Sequence, residues 1–320
     1  MIPRLSFAHL PTPIEALPRL SEALHGPRIL VKRDDLTGLA FGGNKTRKLE
    51  FVLAAALANG SKTLITTGAA QSNHCRQTAA AAAHFGLRCI LILSGDAQAQ
   101  PTANLTLDQL FGAEIIWTER SDRQKTMNRV FQQAWDAGQK PYLIPLGASD
   151  PIGTLGYDAA FSEFLEQETP ADWIVVASSS GGTQAGLVLG ARRSDWKGHV
   201  LGISIDEPHQ DLSEKIAMLA TLASDYHGQI EHFEAGEIEV NDQYLGQGYG
   251  VMGEPEKEAI RLFAKTEGLL LDPVYTGRAA AGMVDLIRRG FFKPNETVLF
   301  WHTGGTPALF ASAYQKNLLA

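Results

Sequence analysis

The stretch Gly42-Gly43-Asn44-Lys45-Thr46-Arg47-Lys48-Leu49-Glu50 sets a lysine just after a glycine pair, where a loop turns into a helix. On backbone that can approach a ligand closely, the amine of Lys45 can form a Schiff base with an aldehyde. A nucleotide-triphosphate loop is excluded, because that motif needs a longer gap between its first glycine and a Gly-Lys-Ser/Thr ending. An ordinary turn followed by solvated lysines is the plainer explanation of these residues taken alone.

Two further loops change that balance. Thr63-Leu64-Ile65-Thr66-Thr67 has the character of a short buried strand, and Gly68-Ala69-Ala70-Gln71-Ser72-Asn73-His74 follows it before a helical run from Arg76 to Phe85. Ser72 or Asn73 can cap that helix, but capping does not account for Gln71, Ser72, Asn73 and His74 together. Farther on, Trp173-Ile174-Val175-Val176-Ala177 leads through Ser178-Ser179-Ser180-Gly181-Gly182-Thr183 into an Ala/Leu-rich helix. Free N–H groups at that helix start, with serine and threonine hydroxyls, suit a phosphate as well as they suit a tight turn. A lysine loop, an Asn loop and a phosphate loop in one chain point jointly to pyridoxal 5'-phosphate.

These loops need strands and helices to hold them. Strand-like runs occur at Ile29-Lys32, Thr63-Thr67, Cys89-Leu93, Glu114-Trp117, Tyr142-Leu146, Trp173-Ala177, Val200-Ile205 and Val298-Trp301, alternating with helices such as Lys48-Ala58 and Pro255-Glu267. Such alternation predicts an α/β fold of mostly parallel sheets covered by helices, with ligands at the carboxyl ends of strands. No linker, repeat or low-complexity tract marks a domain boundary.

Composition narrows the function classes. With 320 residues, 44% of them hydrophobic, the chain can bury a large core and is expected to form two domains. A formal charge of −7 without a basic block argues against nucleic acid, and no apolar run approaches membrane length. Met1-Ile2-Pro3-Arg4-Leu5 lacks the apolar core of a signal peptide, so the cytoplasm is the expected location. The two cysteines, Cys75 and Cys89, give no disulfide framework and are expected in the core; the nine histidines show no ligand spacing, so no metal is expected.

In these motifs the chain resembles the D-cysteine desulfhydrase and 1-aminocyclopropane-1-carboxylate deaminase family, pyridoxal-phosphate enzymes of the tryptophan-synthase-β-like fold (fold type II). The resemblance extends from Leu10-Pro11-Thr12-Pro13 and Lys32-Arg33-Asp34-Asp35, through the three loops, to Leu271-Asp272-Pro273-Val274-Tyr275-Thr276-Gly277 and His302-Thr303-Gly304-Gly305-Thr306-Pro307-Ala308-Leu309. It implies a large cofactor-binding domain (1–50 and 154–320), a small domain (51–153), an active site in the cleft between them, a small amino-acid substrate and a homodimer.

The resemblance also implies roles. Lys45 matches the lysine that binds the cofactor and then takes the substrate's Cα proton, while Lys48, a helical turn on, is expected to face elsewhere. Asn73 matches the asparagine on the cofactor's ring hydroxyl, and Ser72 the serine that meets the substrate carboxylate or moves a proton. Ser180, Gly181, Gly182 and Thr183 match the phosphate loop; Tyr249 and Tyr275 match two active-site tyrosines. The deaminase branch carries a glutamate after the second tyrosine, where this chain has Thr276; either Thr276 or Thr303 would then meet the pyridine nitrogen. With Gln-Ser-Asn-His in the Asn loop, the pattern leans toward elimination of D-cysteine to pyruvate, hydrogen sulfide and ammonia. L-cysteate sulfo-lyase, the cyclopropane deaminase and a noncatalytic cofactor- or amino-acid-binding regulator are the alternatives.

Overall fold

The computed structural model describes residues 3–98, 100–228 and 230–319, which fold around two sheets. β1 (Ile14–Ala16) and β2 (Arg28–Lys32) pair antiparallel at one edge of the first sheet. The chain then builds the second sheet from β3 (Thr63–Ala69), β4 (Arg88–Ser94), β5 (Glu114–Thr118) and β6 (Pro141–Leu143), all parallel, in the order β5-β4-β3-β6. It returns to the first sheet with β7 (Trp173–Ser178), β8 (His199–Ser204), β9 (Val240–Asn241) and β10 (Thr297–Trp301). That sheet has the order β1-β2-β10-β7-β8-β9, so the last long strand enters at its centre, with Phe300 level with Val31 on one side and Val175 on the other.

Central strands such as β3, β7 and β10 are buried almost throughout because helices cover both of their faces, and β7 and β10 are correspondingly apolar. Cys75 and Cys89 are buried, and burial pushes both thiols up; they pack as small core side chains. Three helices sit close together beside the first sheet: Asn44–Ala58, Pro151–Glu166 and Gly182–Arg193. Glycines make this possible, since a Cβ on Gly156 would lie 2.6 Å from the Arg47 carbonyl oxygen and one on Gly186 would lie 2.4 Å from that of Thr154. Close packing here fixes the start of the lysine helix relative to the start of the phosphate-loop helix. Asn44–Ala58 runs unbroken past Glu50, and Pro151–Glu166 past Gly153.

The structure departs from sequence expectation at several elements. The run expected as a strand over Tyr142-Leu146 ends at Leu143; Pro145 has no N–H to continue a ladder, and a 3₁₀ turn follows at Leu146–Ala148. The lysine helix starts at Asn44, which puts Lys45 in its first turn. β1 and β9, of three and two residues, are too short for any periodicity to announce them. No helix among the described residues is long and apolar enough to cross a membrane.

Candidate active site

A cleft opens where the carboxyl ends of the parallel strands of both sheets converge. Ala69, Ser94 and Gly147 border it from the second sheet, and Ser178, Asp206 and Thr303 from the first. Of the residues singled out in the sequence, Lys45, Ser72, Asn73, Ser180, Gly181, Thr183, Tyr249, Tyr275 and Thr303 all line this space. Gly182 and Thr276 do not.

Lys45 Nζ donates to the Gly147 carbonyl oxygen at 3.2 Å and meets no carboxylate among the described residues. Burial of its ammonium end lowers its pKa to about 8. Lys48, expected to face away, instead sends Nζ to the same Gly147 oxygen at 3.0 Å and to Ser149 Oγ at 2.9 Å. It is fully buried behind the cavity wall, and burial, reinforced by the nearby charge of Lys45, pushes its pKa well down. Gly147 has φ 69, and a Cβ there would lie 2.4 Å from Ser180 Oγ, so both lysines depend on a glycine at this turn.

The phosphate loop is built from the same direction. Ser149 Oγ and Ser180 Oγ share a hydrogen bond of 2.7 Å, and the Gly182 N–H is given to Ser149 Oγ at 3.3 Å, which explains why Gly182 stands behind the wall. Asn44 Nδ2 donates to Thr183 Oγ1 at 2.9 Å, leaving the threonine hydrogen to point elsewhere. Ser178 Oγ is buried without a partner among the described residues. Hydroxyls and the dipole of the helix Gly182–Arg193 therefore form a cradle for a dianion, with the Lys48 amine holding Ser149 in place from behind.

Ser72 caps the helix Asn73–His84 by accepting the Cys75 N–H at 3.2 Å, and its own hydrogen stays available to an acceptor in the cleft. Asn73 is oriented by residues that the sequence did not single out. Its Oδ1 accepts from Arg76 at 2.7 Å and from Asn104 Nδ2 at 3.0 Å, so its acceptor side is saturated. The donor side of the amide is then free for the cleft, as a ring hydroxyl requires. Arg76 stands one helical turn from Asn73, a spacing the sequence contained; Asn104 had no such signal.

His74 lines the cleft with its tautomer fixed. Thr66 Oγ1 donates to the Ile144 carbonyl oxygen at 2.9 Å, so the 2.8 Å contact with His74 Nε2 must be donated by the ring. Burial first, then the charges of Lys45 and Lys48, hold this imidazole neutral.

Tyr249 and Tyr275 join hydroxyls at 2.6 Å, their rings 6.0 Å apart and tilted by 70°. Burial raises Tyr249 to about 12 and Tyr275 well above the usual phenol value, so both are neutral donors. One hydrogen is spent between them and the other is left for a ligand. Thr276 is fully buried outside the cleft: its hydroxyl donates to Asp272 Oδ1 at 2.8 Å and accepts the Asp272 N–H at 2.8 Å. Thr303 is therefore the threonine of the pair that the cleft can reach. It is steadied by His302, which accepts the Gly304 N–H at 3.2 Å through Nδ1 and meets the Leu270 carbonyl oxygen at 3.1 Å through Nε2. Asp206, Arg120 and Arg123, also in the lining, were not singled out.

An amine for an aldehyde, an amide donor for a ring hydroxyl and a cradle for a phosphate fit one pyridoxal phosphate. The comparisons with known proteins agree. The structure is similar to that of an ACC deaminase homologue, with a TM-score of 0.91 and 38% identity over 99% of this chain and 96% of that one. A fungal L-serine ammonia-lyase from Rhizomucor miehei, at 17% identity and TM-score 0.70 over 98% of both chains, shares the fold. So does the processed form of threonine deaminase isoform 2 from Solanum lycopersicum, at 16% identity and TM-score 0.67 over 98% of this chain and 83% of that one. The family model of pyridoxal-phosphate dependent enzymes matches residues 5–304, and the chain belongs to that family.

Proposed function

We propose that this member of the pyridoxal-phosphate dependent family eliminates sulfide from D-cysteine, giving pyruvate, hydrogen sulfide and ammonia. The observation that carries the choice is the wall around Thr303. The residue after Tyr275 is a threonine locked onto Asp272 rather than a glutamate, and a hydroxyl is what Thr303 offers the cleft. A hydroxyl leaves a pyridine nitrogen largely unprotonated, which suffices when a good leaving group sits on Cβ.

Bound pyridoxal phosphate supplies an electron sink for negative charge at the substrate's Cα. Lys45 holds the cofactor, and its free amine removes the Cα proton; a pKa of about 8 makes the neutral base accessible near neutral pH. Ser178, Ser180 and Thr183 take the phosphate, with Lys48 behind them. Asn73 orients the ring through its free N–H. Ser72 donates to the substrate carboxylate, and the Tyr249–Tyr275 pair donates its remaining hydrogen to the departing sulfur. The large domain (1–50 and 154–320), the small domain (51–153) and a homodimer belong to the same proposal, and sedimentation of the purified protein tests the last.

The test offers D-cysteine, L-cysteine, L-cysteate and 1-aminocyclopropane-1-carboxylate separately to the cofactor-loaded protein and measures 2-oxo acid. Pyruvate with sulfide from D-cysteine is expected. The relative called an ACC deaminase homologue makes the cyclopropane the sharpest competitor: 2-oxobutanoate as the main product would overturn the proposal. Cofactor binding without any product would leave the regulator.

A further inference from the structure

Tyr249 reaches the cleft from a loop with little stiffness of its own. Gly246, Gly248 and Gly250 have φ of 59, 108 and 76, so alternate residues of this loop lie in the left-handed region that favours glycine. Groups outside the loop must hold it in one shape. Arg278 does so at two points, giving Nη1 to the Gly248 carbonyl oxygen at 3.1 Å and Nη2 to that of Val251 at 2.7 Å. The carbonyl of Gly250, directly after Tyr249, is taken by the Tyr314 hydroxyl at 2.8 Å, and no other donor meets it among the described residues.

Tyr314 belongs to the helix Ser312–Leu319, which the elimination chemistry leaves unused. At one end of that helix the Ser312 N–H donates to Thr102 Oγ1 at 3.4 Å. The Thr102 carbonyl oxygen in turn accepts from Gln71 Nε2 at 3.0 Å, in the loop that carries Ser72 and Asn73. Near the other end the Leu318 carbonyl oxygen accepts from Arg261 at 2.9 and 3.2 Å, and Leu318 packs against the core of the first sheet. The helix is thus pinned on the Asn-loop side and on the first-sheet side, with Tyr314 between the two. Burial raises Tyr314 to about 12, so its hydroxyl keeps the hydrogen that it donates.

We propose that the helix Ser312–Leu319 is a tether that positions Tyr249, and that Tyr314 is the positioning residue through which it acts. A hydrogen bond as short as the 2.6 Å between Tyr249 and Tyr275 tolerates little displacement of either ring, so freeing the Gly250 carbonyl lets the Tyr249 hydroxyl drift from its partner. The inference rests on the elimination proposed above, in which this pair supplies a hydrogen to the departing sulfur. In that step the Cα proton passes to the Lys45 amine, the Cβ–S bond breaks with its electron pair on sulfur, and the tyrosine hydrogen joins the leaving HS⁻ to give hydrogen sulfide. The tyrosinate regains a proton from water, and water converts the remaining enamine to pyruvate and ammonium. Chloride leaving from the same carbon needs no hydrogen, so a substrate with chlorine on Cβ does not depend on where Tyr249 stands.

The experiment compares holoenzymes of wild type, Tyr314→Phe and Tyr249→Phe. Initial rates of pyruvate release are measured with D-cysteine and with β-chloro-D-alanine, and amide hydrogen exchange is followed over residues 246–251. Tyr314→Phe keeps the ring and removes the one hydroxyl. It is expected to lower kcat for D-cysteine about 3–10-fold with little change in KM, to leave β-chloro-D-alanine within about 2-fold, and to speed exchange in the loop about 3–10-fold. Tyr249→Phe is expected to show the same split between the two substrates, and more strongly. Unchanged exchange, or equal losses for both substrates, would overturn the tether. A split in Tyr249→Phe that Tyr314→Phe lacks would also overturn it while leaving the elimination intact. No split in either variant would take the tyrosines away from the departing sulfur and the inference with them. Faster exchange in Tyr314→Phe with no pyruvate from either compound in wild type would support the tether and remove the elimination.

Discussion

Lys45 and Arg47 stand two residues apart on one helix and belong to opposite kinds of environment. Arg47 is buried in a closed charge cluster. Its guanidinium meets both Asp34 oxygens at 2.8 and 2.9 Å and both Glu163 oxygens at 2.8 and 2.9 Å. Asp34 also accepts from Tyr157 at 2.6 Å, Trp301 at 2.8 Å and Thr12 at 2.8 Å, while Lys32 reaches Glu163 at 2.5 Å. Burial alone would push the Asp34 carboxyl up, but the Arg47 charge and these donors outweigh it and hold Asp34 low. Arg47 is held above its ordinary value despite burial by the same two carboxylates. Across the helix, Lys45 has only a carbonyl, and its pKa falls. In the cleft that it lines, His74 Nδ1, Ser94 Oγ, Ser178 Oγ and an Asp206 oxygen have no partner among the described residues. Around Arg47 the polar groups satisfy one another and hold the helix in place, whereas in the cleft around Lys45 several are left for a ligand.

Substitutions on the two faces should therefore do opposite things. The largest effect is expected from Lys45→Ala, which should cost about 10²–10⁴-fold or more in turnover, read as pyruvate release from the cofactor-supplied variant. Full activity with an unchanged bound-cofactor spectrum would remove Lys45 from the mechanism. Arg47→Met should lose about 3–5 kcal/mol in denaturant unfolding, because Asp34 and Glu163 would be buried without their counter-charge. A near-neutral result would mean that the cluster is not what fixes the helix.

A pH measurement sharpens the contrast. The folded-state pKa of Lys45, about 8, lies below the ordinary lysine value, so the unfolded chain binds this proton more readily. That cost to folding is full below about pH 8 and fades as pH rises toward about 10.5. Cofactor-free Lys45→Met should accordingly be more stable than cofactor-free wild type at pH 7, with the gap closing as pH rises. A gap independent of pH would point to packing instead of charge. The smallest effect on stability is expected from Ser72→Asp, since aspartate preserves the helix cap to within about 0.5 kcal/mol. It would place a carboxylate where the substrate carboxylate is proposed to bind, so KM should rise. Unchanged kinetics would reduce Ser72 to a cap.

Much of the fold and of the cleft could be read before any coordinates, because the signals are local. An apolar run bounded by turn residues identifies a strand, and a glycine pair before a periodic segment identifies a helix start. The edge strands β1 and β9 gave no such signal at three and two residues. The local pattern thus determined the α/β class, the three loops, Lys45, Ser72 and Asn73. Tertiary structure decided the rest, because it depends on which distant residues meet. Gly147 reaches Lys45 across 102 positions of sequence, and Asn104 reaches Asn73 across 31. Only folding could turn Lys48 onto the same carbonyl as Lys45, hide Thr276 against Asp272 while leaving Thr303 in reach, and bring Arg120 and Arg123 to the cleft.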